Sequence, residues 1–314
     1  MKRRISPTLI ALALAVVLFF LGGLIQPGFT SFELAMNILR LAAFLGIVAA
    51  GQTLVIISGG EGIDLSVGAM VTLGAIISYG LISKRDDRIW IGFLASLGAG
   101  VIIGTLNGIG VAYLRIPPLV MTLGMATVIQ GLIFAVTQGS LEGGSAPLLS
   151  KITTEPLLLG IPGILYIWAA FAGLMWLLLQ RTRYGKNLFA IGTNRITARL
   201  SGVNVKATVV ATYMLCSTLA SFGGFIFLGY YERVFLNLGN PYTLPSIAAV
   251  VMGGTVLSGG VGSYWGTMAG SIVLTLITSL LTTLRMEEHL RQIVYGLILL
   301  VLLAAYGRQR ALRQ

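Results

Sequence analysis

The residues able to do chemistry are few. The segment SGGEGIDLSVGA at 58–69 places two carboxylates, Glu61 and Asp64, within otherwise apolar text. Asp64 or Ser66 is placed to cap the helix that resumes after them, satisfying backbone N–H groups that lipid cannot. If that helix starts inside a bilayer, its N-terminal end also offers amide donors to a polar ligand in a cavity. Asn107 and Gln130 sit in later apolar runs, as do Asn37, Arg40 and Gln52 in an earlier one. Polar groups at such depth face protein or a water-filled path. Asn107 and Gln130 are uncharged and suit hydrogen bonds to a neutral hydroxylated solute, and equally suit bonds between helices. The sole histidine, His289, stands beside Glu287 and Glu288 and reads as a solvated helix start. There is no histidine cluster for a metal and no G-x-x-x-x-G-K-[ST] phosphate loop, so the chain has no nucleotide site of that kind. The lone Cys216 excludes an intrachain disulfide.

The elements that must position these groups are membrane helices. Of 314 residues 56% are hydrophobic and 10% charged, against about 25% charged in an average soluble domain. With about 20 apolar residues needed per crossing, the runs predict ten spans. They lie at about 5–25, 34–57, 63–82, 89–113, 119–138, 162–180, 207–230, 244–262, 264–284 and 289–306. Pro245 and a glycine cluster interrupt 244–262, which reads as broken or re-entrant. The fold class is therefore all-α, polytopic and membrane-integral, with 1–314 as one transmembrane domain. Lys2-Arg3-Arg4 before the first run has the outline of a secretory signal, but the run is long and lacks a small-x-small cleavage site, so it is taken as the first span. The net charge of +11 does not imply nucleic acid, because no soluble domain carries it as a face.

The longest basic stretch, 181–206, holds Arg181, Arg183, Lys186, Arg195, Arg199 and Lys206 without an acidic residue. It should be cytoplasmic. The tail carries Arg308, Arg310 and Arg313, so both termini belong on the same side as this loop, with six spans before it and four after. That topology puts 13 basic residues inside and seven outside, with eight of the ten acidic residues outside. The loop's alternation of small, apolar and basic residues suits either anionic lipid or a short helix-turn element docking on another protein. Two ladders of small residues are spaced by four: Ser96, Gly100, Gly104, Gly108, Ala112, and Ser258, Gly262, Gly266, Gly270. Each reads as a stripe for close helix crossing. Gly59-Gly60 before Leu65-Ser66-Val67-Gly68 is echoed by Gly253-Gly254 before Leu257-Ser258-Gly259-Gly260, as in a duplicated transporter architecture.

IDLSVGA at 63–69, RTRYGKNLFAIGTN at 181–194, ARLSGV at 198–203 and VVMGGTVLSGGVGSYWGT at 250–267 together resemble the permease subunit of ribose-type monosaccharide ABC importers. The resemblance covers nearly the whole chain, with four motifs in order. It implies an inner-membrane pore for a monosaccharide or similar polyhydroxylated solute, built from two permeases, identical or paired with a sister permease. It further implies a cytoplasmic ABC ATPase that binds the ATP and magnesium, this chain binding no cofactor, and a periplasmic or extracellular sugar-binding protein. Lipid is the remaining partner. The family's helix-breaking motif maps onto Gly62, Ile63, Asp64, Leu65, Ser66 and Gly68, candidates with Asn107 and Gln130 for the path or gate. Its ATPase-coupling loop maps onto Arg181, Arg183, Tyr184, Gly185, Lys186, Gly192, Asn194, Arg199 and Gly202. Gly253, Gly254, Gly259, Gly260 and Gly262 are hinge candidates. Glu61-Gly62 stand where the family's glycines run directly into Ile-Asp-Leu-Ser, a departure in register. Two other readings remain: an ion-coupled secondary transporter, which needs carboxylates or histidines in its spans, and a membrane enzyme acting on lipid-linked sugars.

Overall fold

The computed structural model describes the backbone of residues 6–311 and the side chains of all of these except 158, 288, 299 and 302–311. Lys2, Arg3, Arg4, Arg313 and the side chains of Arg308 and Arg310 thus lie outside the described residues. Within them are thirteen α-helices: α1 (Pro7–Ile25), α2 (Phe32–Ile57), α3 (Val67–Ile82), α4 (Ile89–Ala112), α5 (Pro118–Thr137), α6 (Pro147–Thr154), α7 (Gly163–Arg181), α8 (Arg183–Thr193), α9 (Arg195–Leu200), α10 (Val205–Tyr231), α11 (Thr243–Met252), α12 (Tyr264–Thr283) and α13 (Glu288–Ala311). The ten expected spans correspond to α1–α5, α7 and α10–α13. Among the described residues seven helices are long and apolar enough to cross a membrane: α1, α2, α4, α5, α7, α10 and α12.

Two spans are shorter than their apolar text. The helix at 63–82 starts only at Val67, because 58–66 is irregular. At 244–262 the helix stops at Met252. Ten residues at 1.5 Å rise make about 15 Å, half of a hydrocarbon core about 30 Å thick. The remainder, 253–263, is loop, so α11 is a half-helix. This corrects the second small-residue ladder: Ser258 and Gly262 are in that loop, and only Gly266 and Gly270 share a helix face.

α2 is the central column. Every residue from Ala42 to Ile57 is buried, on all faces of the helix, as expected of a helix surrounded by other helices. α1, by contrast, buries only Ala11, Ala15 and Gly22 and presents the rest of its apolar surface outward. The first small-residue ladder holds. A Cβ at Gly100 would lie 2.5 Å from Thr218 Cα, one at Gly104 2.5 Å from the Tyr213 carbonyl oxygen, and one at Gly108 2.6 Å from Val210 Cα. The partner position on α10 falls as that on α4 rises, so the two run antiparallel with backbones in contact. Gly104→Leu should therefore destabilise the protein by about 1–3 kcal/mol or more. Gly98→Leu on the same helix, where nothing lies within 4 Å, should be nearly neutral. Thermal unfolding in detergent of both variants checks this.

The start of α1 and the basic loop lie at one end of the bundle, as the charge pattern requires of these two segments. Pro7 adjoins Gly254, Gly192 adjoins Ile57 and Gly260, and Arg195 reaches Gly59, so the start of α1, the α8–α9 segment and the 253–263 loop share one end, hereafter the loop end. At the opposite end Leu148 N donates to Asp86 Oδ1 at 2.9 Å. Two elements there are not foretold by the apolar runs: α6, and a hairpin of β1 (Pro156–Leu158) and β2 (Ile161–Pro162), paired antiparallel.

Candidate functional site

Between α2 and α3 the chain turns through Gly59 and Gly60 at φ +68° and +64° and Glu61 at +59°. The two glycines adopt a left-handed backbone at no steric cost, whereas Glu61 is a non-glycine residue held there. Beyond the turn Asp64 is fully buried. Its Oδ1 accepts from Ser66 N at 2.8 Å and from the Ser66 hydroxyl. The Ser66 Oγ in turn accepts from Asn107 Nδ2 of α4 at 3.0 Å, and Leu65 N donates to Thr122 Oγ1 of α5 at 3.0 Å. The expected side-chain cap by Ser66 is thus corrected. Ser66 occupies the N-cap position of α3, but its backbone is already helical (φ −81°, ψ −7°) and its hydroxyl caps nothing, being engaged by Asp64 and Asn107. Asp64 instead closes a local turn, and Asn107 makes the interhelical bond.

α10 faces this turn with Tyr213 and Cys216, while its Ser217 lies against Gly104 of α4; all three are buried. The Cys216 thiol adjoins Asp64, and Gly51 of α2 sits on the Cys216 backbone, where a Cβ would lie 2.8 Å from its Cα. Six buried atoms on these helices and the turn have no hydrogen-bond partner: Gln52 Nε2 and Oε1, Asp64 Oδ2, Asn107 Oδ1, Tyr213 OH and Ser217 Oγ. Buried polar groups are normally satisfied. These exceptions lie on α2, α4, α10 and the turn between α2 and α3.

The second break lies against the first. Gly260 N donates to the Ile57 carbonyl at 2.9 Å, and Gly259, at φ +89°, lies so close to Gly59 that a Cβ would collide with the Gly59 Cα. Gly192, near the end of α8, enters the same point, where a Cβ would collide with the Ile57 carbonyl oxygen and the Gly260 amide. Arg195 of α9 donates from its guanidinium to the Gly59 carbonyl at 3.1 Å. Both breaks and the basic loop therefore meet backbone to backbone. Of the other hinge candidates, Gly253 abuts Gly266 of α12, Gly254 abuts Pro7, and Gly262 abuts Thr255 and Ile57.

The basic loop folds into α8 and α9 because it supplies its own caps. Thr182 Oγ1 accepts from Gly185 N at 3.1 Å, and Asn194 Oδ1 accepts from Ile196 N and Thr197 N at 2.9 and 3.0 Å. α8 is amphipathic. Gly185, Leu188 and Ile191 are buried, while Arg183 and Lys186 are exposed, as is Arg199 on α9. Tyr184 OH bonds Thr212 Oγ1 of α10 at 3.0 Å, and Arg181 lies over the Trp176 ring at 5.3 Å. Gly202, at φ +83°, makes the turn toward α10 with nothing within 4 Å of its Cβ position.

The structure thus brings Asp64, Ser66 and Asn107 together and leaves Gln130 apart, exposed on the outer face of α5. Residues passed over as candidates are Thr122, Tyr213, Ser217 and Arg195. Thr122 and Ser217 carry no signal in the sequence, because single hydroxyls are common in apolar helices. Arg195, four residues after Ile191 and one after a capping Asn, is the first basic residue beyond the buried face of α8, and that placement is its only clue.

Residues 34–303 match the family described as branched-chain amino acid transport system / permease component. The chain is similar to the galactose/methyl galactoside import permease protein of Haemophilus influenzae, 33% identical with 92% of this chain and 91% of that one covered. It is similar to the ribose import permease protein of Escherichia coli at 31%, over 91% and 89% of the two chains. The autoinducer 2 import system permease protein of Shigella flexneri is 32% identical, over 96% and 86%. No solved structure matches the chain.

Proposed function

Since the chain belongs to this family of membrane permeases, we propose that it is the pore of an ATP-driven importer for a monosaccharide or similarly hydroxylated solute. Relatives with sugar import permease names support the substrate class. The pore is built of two permeases and served by an external binding protein, and the loop end faces the cytoplasm, where a separate ATPase binds ATP and magnesium. The observation that carries the reading is the meeting of Gly192 and Arg195 with both breaks, at Ile57, Gly59 and Gly260. A push on the exposed basic face of α8 and α9 needs no relay to reach them, because a packed contact of backbone on backbone transmits displacement directly. The neutral donors and acceptors of Gln52, Asn107, Tyr213 and Ser217 are of the kind that exchange bonds with sugar hydroxyls as the breaks move apart.

Reconstitution with candidate ATPase and binding-protein subunits tests this. Solute uptake should require all three, and the cognate sugar with its receptor should raise ATP turnover several-fold. Uphill uptake by this chain alone would overturn the reading in favour of ion coupling. Cysteines placed at Lys186 and Arg199 should label from the cytoplasmic side only, and labelling from outside would invert the topology.

A further inference from the structure

We propose that the loop end holds the headgroup of an anionic phospholipid in a pocket that borders the first break. A cavity of about 290 Å³ lies between the end of α4, the start of α5, α9 and the start of α10. Arg115, Arg195 and Lys206 line it, together with Gly60, Pro118 and Val209, and no carboxylate does. The nearest acidic residue in sequence is Glu61, which is exposed and not part of the lining. Three cations from three elements around one small space repel one another unless an anion sits among them.

Two features say what kind of anion. Each cation is held in place by something other than an acid. Arg195 spends one guanidinium nitrogen on the Gly59 carbonyl and keeps a buried Nε without a partner, while Lys206 Nζ lies 4.7 Å over the Tyr113 ring. Arg115 stands at φ +58° in the turn between α4 and α5. Forks and ammonium groups in this arrangement match the oxygens of a phosphodiester. The rim beside the pocket is apolar and uncovered: Tyr113 is 53% exposed, Leu114 68%, Leu119 44% and Val120 61%. A soluble anion has no use for that rim. Acyl chains laid along the outer faces of α4 and α5 would cover it while the phosphate reaches the three cations, the usual arrangement for basic pockets at a membrane surface. The pocket also touches Gly60 and Arg195, so its occupant sits on the first break and on the guanidinium that holds it.

The permease alone, incorporated into bilayer discs of phosphatidylcholine with one-tenth phosphatidylglycerol and then re-extracted in mild detergent, is assayed for retained lipid by mass spectrometry. Phosphatidylglycerol should be enriched over phosphatidylcholine. The double variant Arg115→Gln/Lys206→Gln should lose that enrichment on the order of tenfold or more. Lys84→Gln/Lys151→Gln, which removes the same charge at the opposite end, should retain it. Should the double variant fail to accumulate, each single variant must show an intermediate loss. Equal retention of the two lipids, or undiminished retention by the variants, overturns the proposal. So does radiolabelled inorganic phosphate binding the delipidated protein with the same dependence on Arg115 and Lys206, since the site then serves a soluble anion. No ATPase or sugar enters this assay, so its failure leaves the transport reading standing.

Discussion

Gly192→Val should abolish solute uptake, to less than a tenth of the unsubstituted level, while the permease still inserts and copurifies with its ATPase. Even one methyl group at this position collides with the Ile57 carbonyl oxygen and the Gly260 amide, and neither can rotate away as a side chain would. Overpacking of a core costs about 1–3 kcal/mol where side chains can adjust. Against backbone, the relief available is to lift α8 off both breaks. The caps at Thr182 and Asn194, and the exposed Arg183 and Lys186, remain as they were, so the surface offered to the motor is unchanged and basal ATP turnover should persist without response to sugar. Gly173→Val on α7, where nothing lies within 4 Å, is the matched control. Normal uptake by Gly192→Val would remove the α8 contact from the mechanism.

Asp64→Ala should lower the thermal stability of the detergent-solubilised permease by several degrees and with it the yield, whereas Asp64→Asn should preserve both and leave most of the uptake. In the unsubstituted protein Asp64 Oδ1 accepts from the Ser66 amide and hydroxyl, and Asn107 completes the chain from α4. Alanine strands buried donors at about 1–3 kcal/mol each. Asparagine keeps an acceptor at Oδ1. The pair of variants also divides a structural turn from a coupling site, because a carboxylate that carries an ion or proton across the membrane fails as an amide even when the fold is intact. Abolished uptake in a stable Asp64→Asn permease would favour the ion-coupled reading, and an unaltered Asp64→Ala permease would show that the turn carries no weight.

Part of the site was legible because the chemistry of lipid leaves few choices. The glycines at 59–60 and 259–260, and Asp64 in apolar text, mark backbone that cannot continue as helix, and both positions prove to be breaks. The extent of each break was not legible. Apolar composition is the same for helix and for buried loop, so 253–263 read as the end of a span and Ser258 and Gly262 as part of a helical stripe. The alternation of small, apolar and basic residues made α8 and α9 readable as a helix-turn element, and the caps at Thr182 and Asn194, which act within three residues of themselves, fix it locally. What those helices touch depends on residues far along the chain, Ile57 and Gly59 on one side and Gly260 on the other. Gln130 and Asn107 looked alike as uncharged polar groups within apolar helices. Their fates differ because α4 turns Asn107 toward Ser66 while α5 turns Gln130 outward, and that depends on how the helices rotate against their neighbours.

By itself the sequence determined that the protein is a bundle of membrane helices, which apolar runs form them, and that the start of the first helix and the basic loop share an end. Each of these follows from a one-dimensional quantity: the length of apolar runs against a bilayer of fixed thickness, and the distribution of positive charge. Only the tertiary structure decided that the two interruptions lie against each other with Gly192 and Arg195 upon them, and that Asp64 is tied to Ser66, and through Ser66 to Asn107, rather than capping a helix. Such contacts join distant parts of the chain through glycine backbones, and a glycine carries no side chain by which its future neighbour could be read.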